Sequence, residues 1–205
     1  MARTVLSDRA ERAGAELMFA WAAHRRWRRQ QRLTSLGRLG RSGSDGLSPI
    51  GYLTLPHIAA VAEEYSRSML LACSEPLVPQ THAILDELWE DAERRAETWP
   101  GQEKAWRGWH GIDIAREQPY QELRGVIEAR NAIVHGIGEL TKRQTRGKDG
   151  GKKVIAALKK VGIRVSGRKV VVDDEAMKTC IDTARGFIGW LDLEIQGRGL
   201  KAAKP

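Results

Sequence analysis

Apolar residues recur at steps of three and four along most of this chain, and that period dictates what it folds into. Such spacing gathers apolar side chains on one face of an α-helix, and five or so segments show it. The first runs from Asp8 to about Leu33 through Leu17, Met18, Trp21 and Ala22. The second passes through His57, Val61, Tyr65, Met69 and Leu70. The third, Gln80 to about Thr98, carries Ile84, Leu85, Leu88 and Ala92 on one face before Pro100-Gly101 interrupts or ends it. The Trp-rich run GQEKAWRGWHGIDIAREQ reads as helical in part. Pro119 opens a further helix, Tyr120 to about His135, which Gly136 and Gly138 can stop. The last, Glu175 to about Gln196, shows Met177, Ile181, Ala184, Ile188 and Leu191 at helical spacing and has Asp173 or Asp174 as its cap.

Between these segments the pattern changes. Residues 37–54, rich in Gly and Ser at first, are expected to be a flexible loop leading to the second helix, and residues 141–153 (KRQTRGKDGGKK within them) a basic, mobile one. The run IRV, Ser166-Gly167, KVVV alternates and turns like a short β-hairpin within 161–173. The expectation is a mainly α fold: a helical bundle with a small β-hairpin appendage before the last helix, one domain over 1–196, and a disordered tail over 197–205.

At 205 residues the chain can bury a core without staples, and Cys73 and Cys180, each in an apolar helical stretch, read as buried free thiols of a reducing compartment. With no signal-like h-region and no long apolar run, a cytoplasmic location away from membranes is expected. The net charge of +8 favours an anionic partner, nucleic acid being the common one. His57 and His82 have no carboxylate, cysteine or second histidine at metal-ligand spacing, so no metal site is expected. Neither GxxxxGK[ST] nor GxGxxG occurs in its proper setting, so no nucleotide cofactor is expected.

The helix over 120–137 concentrates chemistry. On a wheel of about 100° per residue, Leu123, Val126, Ile127, Ile133, Val134 and Ile137 share an apolar arc with Arg130 in its middle. A guanidinium there needs a partner. Arg124, Glu128, Asn131 and His135 form a flanking polar stripe, in which Glu128 is a candidate to hold Arg130 or to orient His135. The residues alone allow two readings: a functional site, or a buried ion pair with a histidine that merely caps the helix.

The run EARNAIVHGIGELT resembles the signature of the HEPN superfamily, in which an arginine and a polar residue precede a histidine near the end of a bundle helix. Followed by a basic insertion, a hairpin and a closing helix, it is most similar to the RiboL-PSP-HEPN branch. The resemblance is sharp over roughly 119–141, matches in layout to about 196, and does not extend residue by residue over the first hundred residues.

It implies a HEPN-like bundle and a metal-independent endoribonuclease, a homodimer in which two copies of the motif build a composite site. RNA is the substrate, cut by attack of its own 2′-hydroxyl to leave 2′,3′-cyclic phosphate and 5′-hydroxyl ends. Arg130 would stabilise the phosphorane oxygens, Asn131 would position substrate or histidine, and His135 would be the general base or acid. Histidine suits that role because its ordinary pKa lies near 6.5.

A toxin or anti-phage role with an antitoxin or defence-complex partner goes with the resemblance. In some HEPN toxins a tyrosine two positions after the histidine is modified by a nucleotidyltransferase antitoxin. Here that position is Ile137, so that mode of control is not expected. The alternative is a catalytically inactive HEPN module that dimerises and binds RNA or a partner. A basic DNA-binding regulator is a third reading, against which the chain shows no defensible helix-turn-helix pattern.

Three further groups bear on RNA. Lys142 to Lys169 holds eleven Lys or Arg and the single acid Asp149, and Lys142, Arg143 and Arg146 are its candidate RNA-binding positions; a merely solvated loop is the other reading. The run His24-Arg25-Arg26-Trp27-Arg28-Arg29 reads as a solvated helix end with Trp27 turned inward. Trp99, Trp106 and Trp109 with His110 could line a base pocket, but read as core aromatics.

Overall fold

The computed structural model describes residues 5–36, 49–77, 83–146 and 149–200. They form a mainly α fold with one small antiparallel hairpin before the last helix. Helix α1 spans Asp8–Leu36 and α2 spans Pro49–Ser74. Helix α3 is Ala83–Arg95, α4 Trp99–His110, and α5 Gln118–Gly136. A short α6, Lys142–Thr145, leads to α7, Gly150–Lys160. Strands β1 (Arg164–Ser166) and β2 (Lys169–Val171) precede α8, Asp174–Gly197.

Helices α1, α2, α5 and α8 pack side by side, with α4 against α2 and α7 against α5. Their inner faces meet in one apolar cluster that includes Leu17, Leu55, Ile58, Trp106, Leu123, Val126, Leu158 and Phe187. Among the described side chains, none from helix α3 belongs to that cluster. Leu88 of α3, expected on a buried face, is 61% exposed. In α1, too, the inward residues are Ala10, Leu17, Ala20 and His24, whereas Met18 and Ala22 turn outward.

A buried carboxylate fastens the start of the chain. Asp192 of α8 accepts from the Ser7 backbone N–H at 2.8 Å, the Ser7 hydroxyl at 2.5 Å and the Tyr65 hydroxyl at 2.8 Å. Burial and this carboxylate together push the Tyr65 phenol well above its ordinary value. At the other end of α1, the carboxylate of Asp174 faces His24 Nε2 at 3.1 Å and the Arg28 guanidinium at 3.0 Å. Burial works against that carboxylate's charge, but the His24 hydrogen bond and the Arg28 charge outweigh it and lower its pKa.

Both predicted loops are shorter than expected. Residues 49–54 are the first turns of α2: Pro49 suits the opening of a helix, and Pro56 forfeits only one backbone bond while Leu55 and Ile58 bury completely. The remainder of that predicted loop, 37–48, lies outside the described residues. The basic stretch 141–153 is α6 and the start of α7 apart from 147–148, which are not described. Thr141 and Gln144 form a reciprocal capping box on α6. In α7, Val154 and Leu158 are buried at i, i+4, a period that begins at the very end of the basic run.

Close contact between α5 and α7 depends on Gly125. A Cβ there would stand 2.4 Å from the Ala157 carbonyl oxygen and 2.8 Å from Val161 Cγ2. The hairpin pairs Arg164 with Val171 and Ser166 with Lys169, so its loop is Gly167-Arg168, one residue later than expected. Gly167 has φ 62°, and glycine is the usual residue for such a first loop position. Asp173 caps α8 by accepting from the Ala176 N–H at 2.8 Å. Of the predicted disordered tail, 198–200 continue the chain after α8, with Leu200 packed against the core; 201–205 lie outside the described residues.

Candidate functional site

The last two turns of α5 carry the site, and what holds them in place is the surrounding packing. Gly125, Val126, Ala129, Ala132 and Ile133 are buried, so the helix lies with its small residues inward. Ile127 is therefore only half-buried, Val134 is 46% exposed, and Ile137 is 86% exposed. The arc expected to be uniformly apolar and inward is divided: its outer half borders Arg130 and faces solvent.

Arg130 gathers the motif. Its Nη1 donates to Asn131 Oδ1 at 3.1 Å and lies 3.4 Å from His135 Nε2. A guanidinium only donates, so this contact is a hydrogen bond in the tautomer whose Nε2 carries a lone pair. Arg130 and Asn131 are half-buried, and His135 is exposed at the helix end.

Glu128 does not serve the role expected of it. Its carboxylate accepts from Gln144 Nε2 at 2.8 Å, and its backbone carbonyl accepts from the same amide at 2.8 Å. Two residues along a helix place Glu128 and Arg130 on different sides, and Glu128 thereby bolts α6 to α5. Gln144 is itself buried and also accepts from the Thr141 N–H and hydroxyl. This anchoring fixes Lys142, Arg143 and Arg146, all exposed, beside the end of α5.

An acid that feels the charge of Arg130 is Glu63 of α2. Burial pushes the Glu63 carboxyl above its ordinary range, and the charge of Arg130 acts in the opposite direction. Nothing in the sequence singles out Glu63 from its neighbour Glu64, since the assignment depends on how α2 packs on α5. Tyr52 is a second residue missed: a Cβ on Gly138 would lie 2.5 Å from its hydroxyl oxygen, so the phenol rests on the turn after His135.

That turn is held on both sides. Ile137 adopts a left-handed conformation, φ 53° and ψ 41°, and the Gly138 N–H donates to the Ala132 carbonyl at 3.0 Å. The Val170 N–H donates to the Gly138 carbonyl at 2.9 Å, and Arg168 Nη2 to the Leu140 carbonyl at 2.7 Å. The hairpin's cations, Arg168 and Lys169, are thus carried to the end of α5.

Elsewhere, Trp99 and Trp106 belong to the core, and only Trp109 of the three remains partly exposed, at 39%. His110 Nε2 lies 2.8 Å from the Ser74 hydroxyl, and burial lowers its pKa. His57 lies 3.3 Å from Glu16, while His82 is outside the described residues. Trp27 is half-buried and Arg28 is engaged with Asp174. Burial pushes the Cys73 thiol up to about 11 and the Cys180 thiol up to about 12, consistent with inert, free cysteines.

Among the described residues, no three His, Cys, Asp or Glu side chains gather into a group that could hold a metal ion, and no helix is long and apolar enough to cross a membrane. In comparisons with known proteins, no family model, no curated protein and no solved structure matches this chain.

Proposed function

We propose that the protein is a HEPN-type endoribonuclease whose site is Arg130, Asn131 and His135. The observation that carries this reading is the single guanidinium that meets both Asn131 Oδ1 and His135 Nε2 at a solvent-facing helix end. A base, a fixed cation and an amide in mutual reach are the parts that cleavage by an internal nucleophile needs.

His135 takes the proton of an RNA 2′-hydroxyl, whose oxygen attacks the adjacent phosphorus in line. The bond to the 5′ oxygen breaks, and that oxygen receives a proton from an acid. Arg130 donates to the phosphorane oxygens as charge builds on them, and Asn131 orients the reacting groups. The products carry a 2′,3′-cyclic phosphate and a 5′-hydroxyl. Lys142, Arg143 and Arg146 hold flanking phosphates by counterion release.

Two copies of the chain meet across the stripe of half-buried Ile127 and exposed Val134 and Ile137, so that one histidine acts as base and its partner as acid. The division of the apolar arc supports this pairing, because the stripe borders Arg130 and would otherwise stay wet. Such an enzyme needs restraint, and a toxin or anti-phage effector held by an antitoxin or defence-complex partner fits that need.

The test is cleavage of total cellular RNA in EDTA by wild-type protein and by His135→Ala, with end-group analysis. Cuts bearing 2′,3′-cyclic phosphate, lowered by about 10² or more in the variant, are the expected result. Equal activity of both proteins overturns the reading, and so does inertness of the wild-type dimer on naked RNA.

A further inference from the structure

We infer that the cleft between α3 and α4 is a nucleotide-binding subsite, with Trp109 taking the base and Lys104 the phosphate. The two helices form a hairpin joined by Ala96-Glu97-Thr98. At the joined end they touch backbone to backbone: a Cβ on Gly101 would collide with the Arg95 carbonyl oxygen. Beyond that point the space between them is a cleft of roughly 720 Å³, whose walls include Arg94, Arg95 and Lys104 together with Leu88 and Trp109.

Helix α4 is fixed by buried Trp99, Gln102 and Trp106, and the indole N–H of Trp106 donates to the Ser66 hydroxyl at 3.1 Å. Its opposite face looks into the cleft. Trp109 stands on that face, 39% exposed, braced by Trp89 at 6.2 Å between ring centroids. An aromatic ring left partly wet beside a cleft is a stacking platform in want of a planar partner.

Charge decides what kind of planar partner. Three cations and one acid line the cleft. Asp91 pairs with Arg95 at 2.5 Å and lies 4.0 Å from Arg94, so among the described residues no ion pair involves Lys104. Lys104 precedes Trp109 by five residues, about 7.5 Å along the helix axis and about 140° around it, and both line the same cleft, so that a base and its phosphate can reach the two together. A purely apolar partner would cover Lys104 with no counter-charge, whereas a nucleotide satisfies ring and ammonium together.

The shared chemistry, a base with a phosphate, belongs both to a free mononucleotide and to a residue of an RNA strand. The experiment titrates AMP, a short oligoadenylate and inorganic phosphate into the full chain carrying His135→Ala, following tryptophan fluorescence and calorimetric heat. The inactive background keeps the strand intact, so the result does not depend on whether the protein cleaves RNA.

Saturable quenching by AMP or by the oligoadenylate, weakened about tenfold or more by Trp109→Ala and by Lys104→Ala, is the expected result. Binding of AMP marks a free-nucleotide site, and binding of the oligoadenylate alone marks an RNA subsite. The two substituted side chains are partly or fully exposed, so circular dichroism and urea midpoints should match the parent. Absence of saturable binding by either probe overturns the inference, as does binding that both substitutions leave intact. Equal competition by inorganic phosphate alone, with no effect of Trp109→Ala, overturns it as well.

Discussion

Replacing Ile137 by glycine should make the protein more stable and less able to pair with itself. The residue holds φ 53° and ψ 41°, where an L side chain costs about 1–2 kcal/mol, more so when it is β-branched. It is 86% exposed, so removing its side chain loses only about 0.3 kcal/mol of burial. The greater freedom of glycine in the unfolded chain takes back about 0.5–1 kcal/mol. The balance runs from about −0.3 to about +1.2 kcal/mol and centres on a gain of about 0.5 kcal/mol, at about 2–4 °C in Tm per kcal/mol for a chain of this size. Urea unfolding of dilute wild type and variant measures the gain directly. If Ile137 lies in a two-fold interface, sedimentation of the same variant at high concentration should show weaker self-association, together with slower RNA cleavage. A variant destabilised by more than about 0.5 kcal/mol refutes the strain argument. One that gains stability without losing association refutes the interface.

Gly125→Ala tests the α5–α7 contact: helix propensity favours alanine by about 1 kcal/mol, but collision with a backbone carbonyl costs more, and a net loss of about 1–2 kcal/mol in urea unfolding is expected. Asp192→Asn replaces one carboxylate oxygen with an amide NH2, which in the place of Oδ2 would face two donors, the Ser7 N–H and Gln196 Nε2, and should cost about 2–3 kcal/mol, read by the same assay. His110 supplies a pH test. Its folded pKa lies below the ordinary 6.5, so the unfolded chain binds the proton more readily; its contribution is complete above about pH 6.5 and is lost as pH falls through the lowered folded value. The urea midpoint of wild type should therefore decline on acidification from neutrality more steeply than that of His110→Gln. Gln144→Ala, which frees α6 from Glu128, should raise hydrogen exchange across 141–146 and weaken RNA binding while leaving the Arg130–His135 pair in place.

Much of this could be read from the order of residues alone, for a local reason. A helix places residues by their separation along the chain, so the mainly α class, the hairpin before the last helix and the placing of Arg130, Asn131 and His135 at one helix end follow from local spacing, whereas the contacts that Arg130 makes with both depend on how its long side chain lies. The Asp173 cap and the free cysteines are likewise local properties.

What only the tertiary structure decided is which neighbour each face meets. The basic stretch after Leu140 carries its helical period in Val154 and Leu158, and it settles as α7 because Gly125 leaves room on α5. Glu128 turns to Gln144, and an acid that feels the charge of Arg130 is Glu63, contributed by α2 from far along the chain. Trp109 differs from Trp99 and Trp106 because it lines the cleft between α3 and α4 and stays partly exposed. A helical period states that a residue lies on a face; burial and charge pairing depend on which other helix covers that face, and that information resides in packing between distant segments.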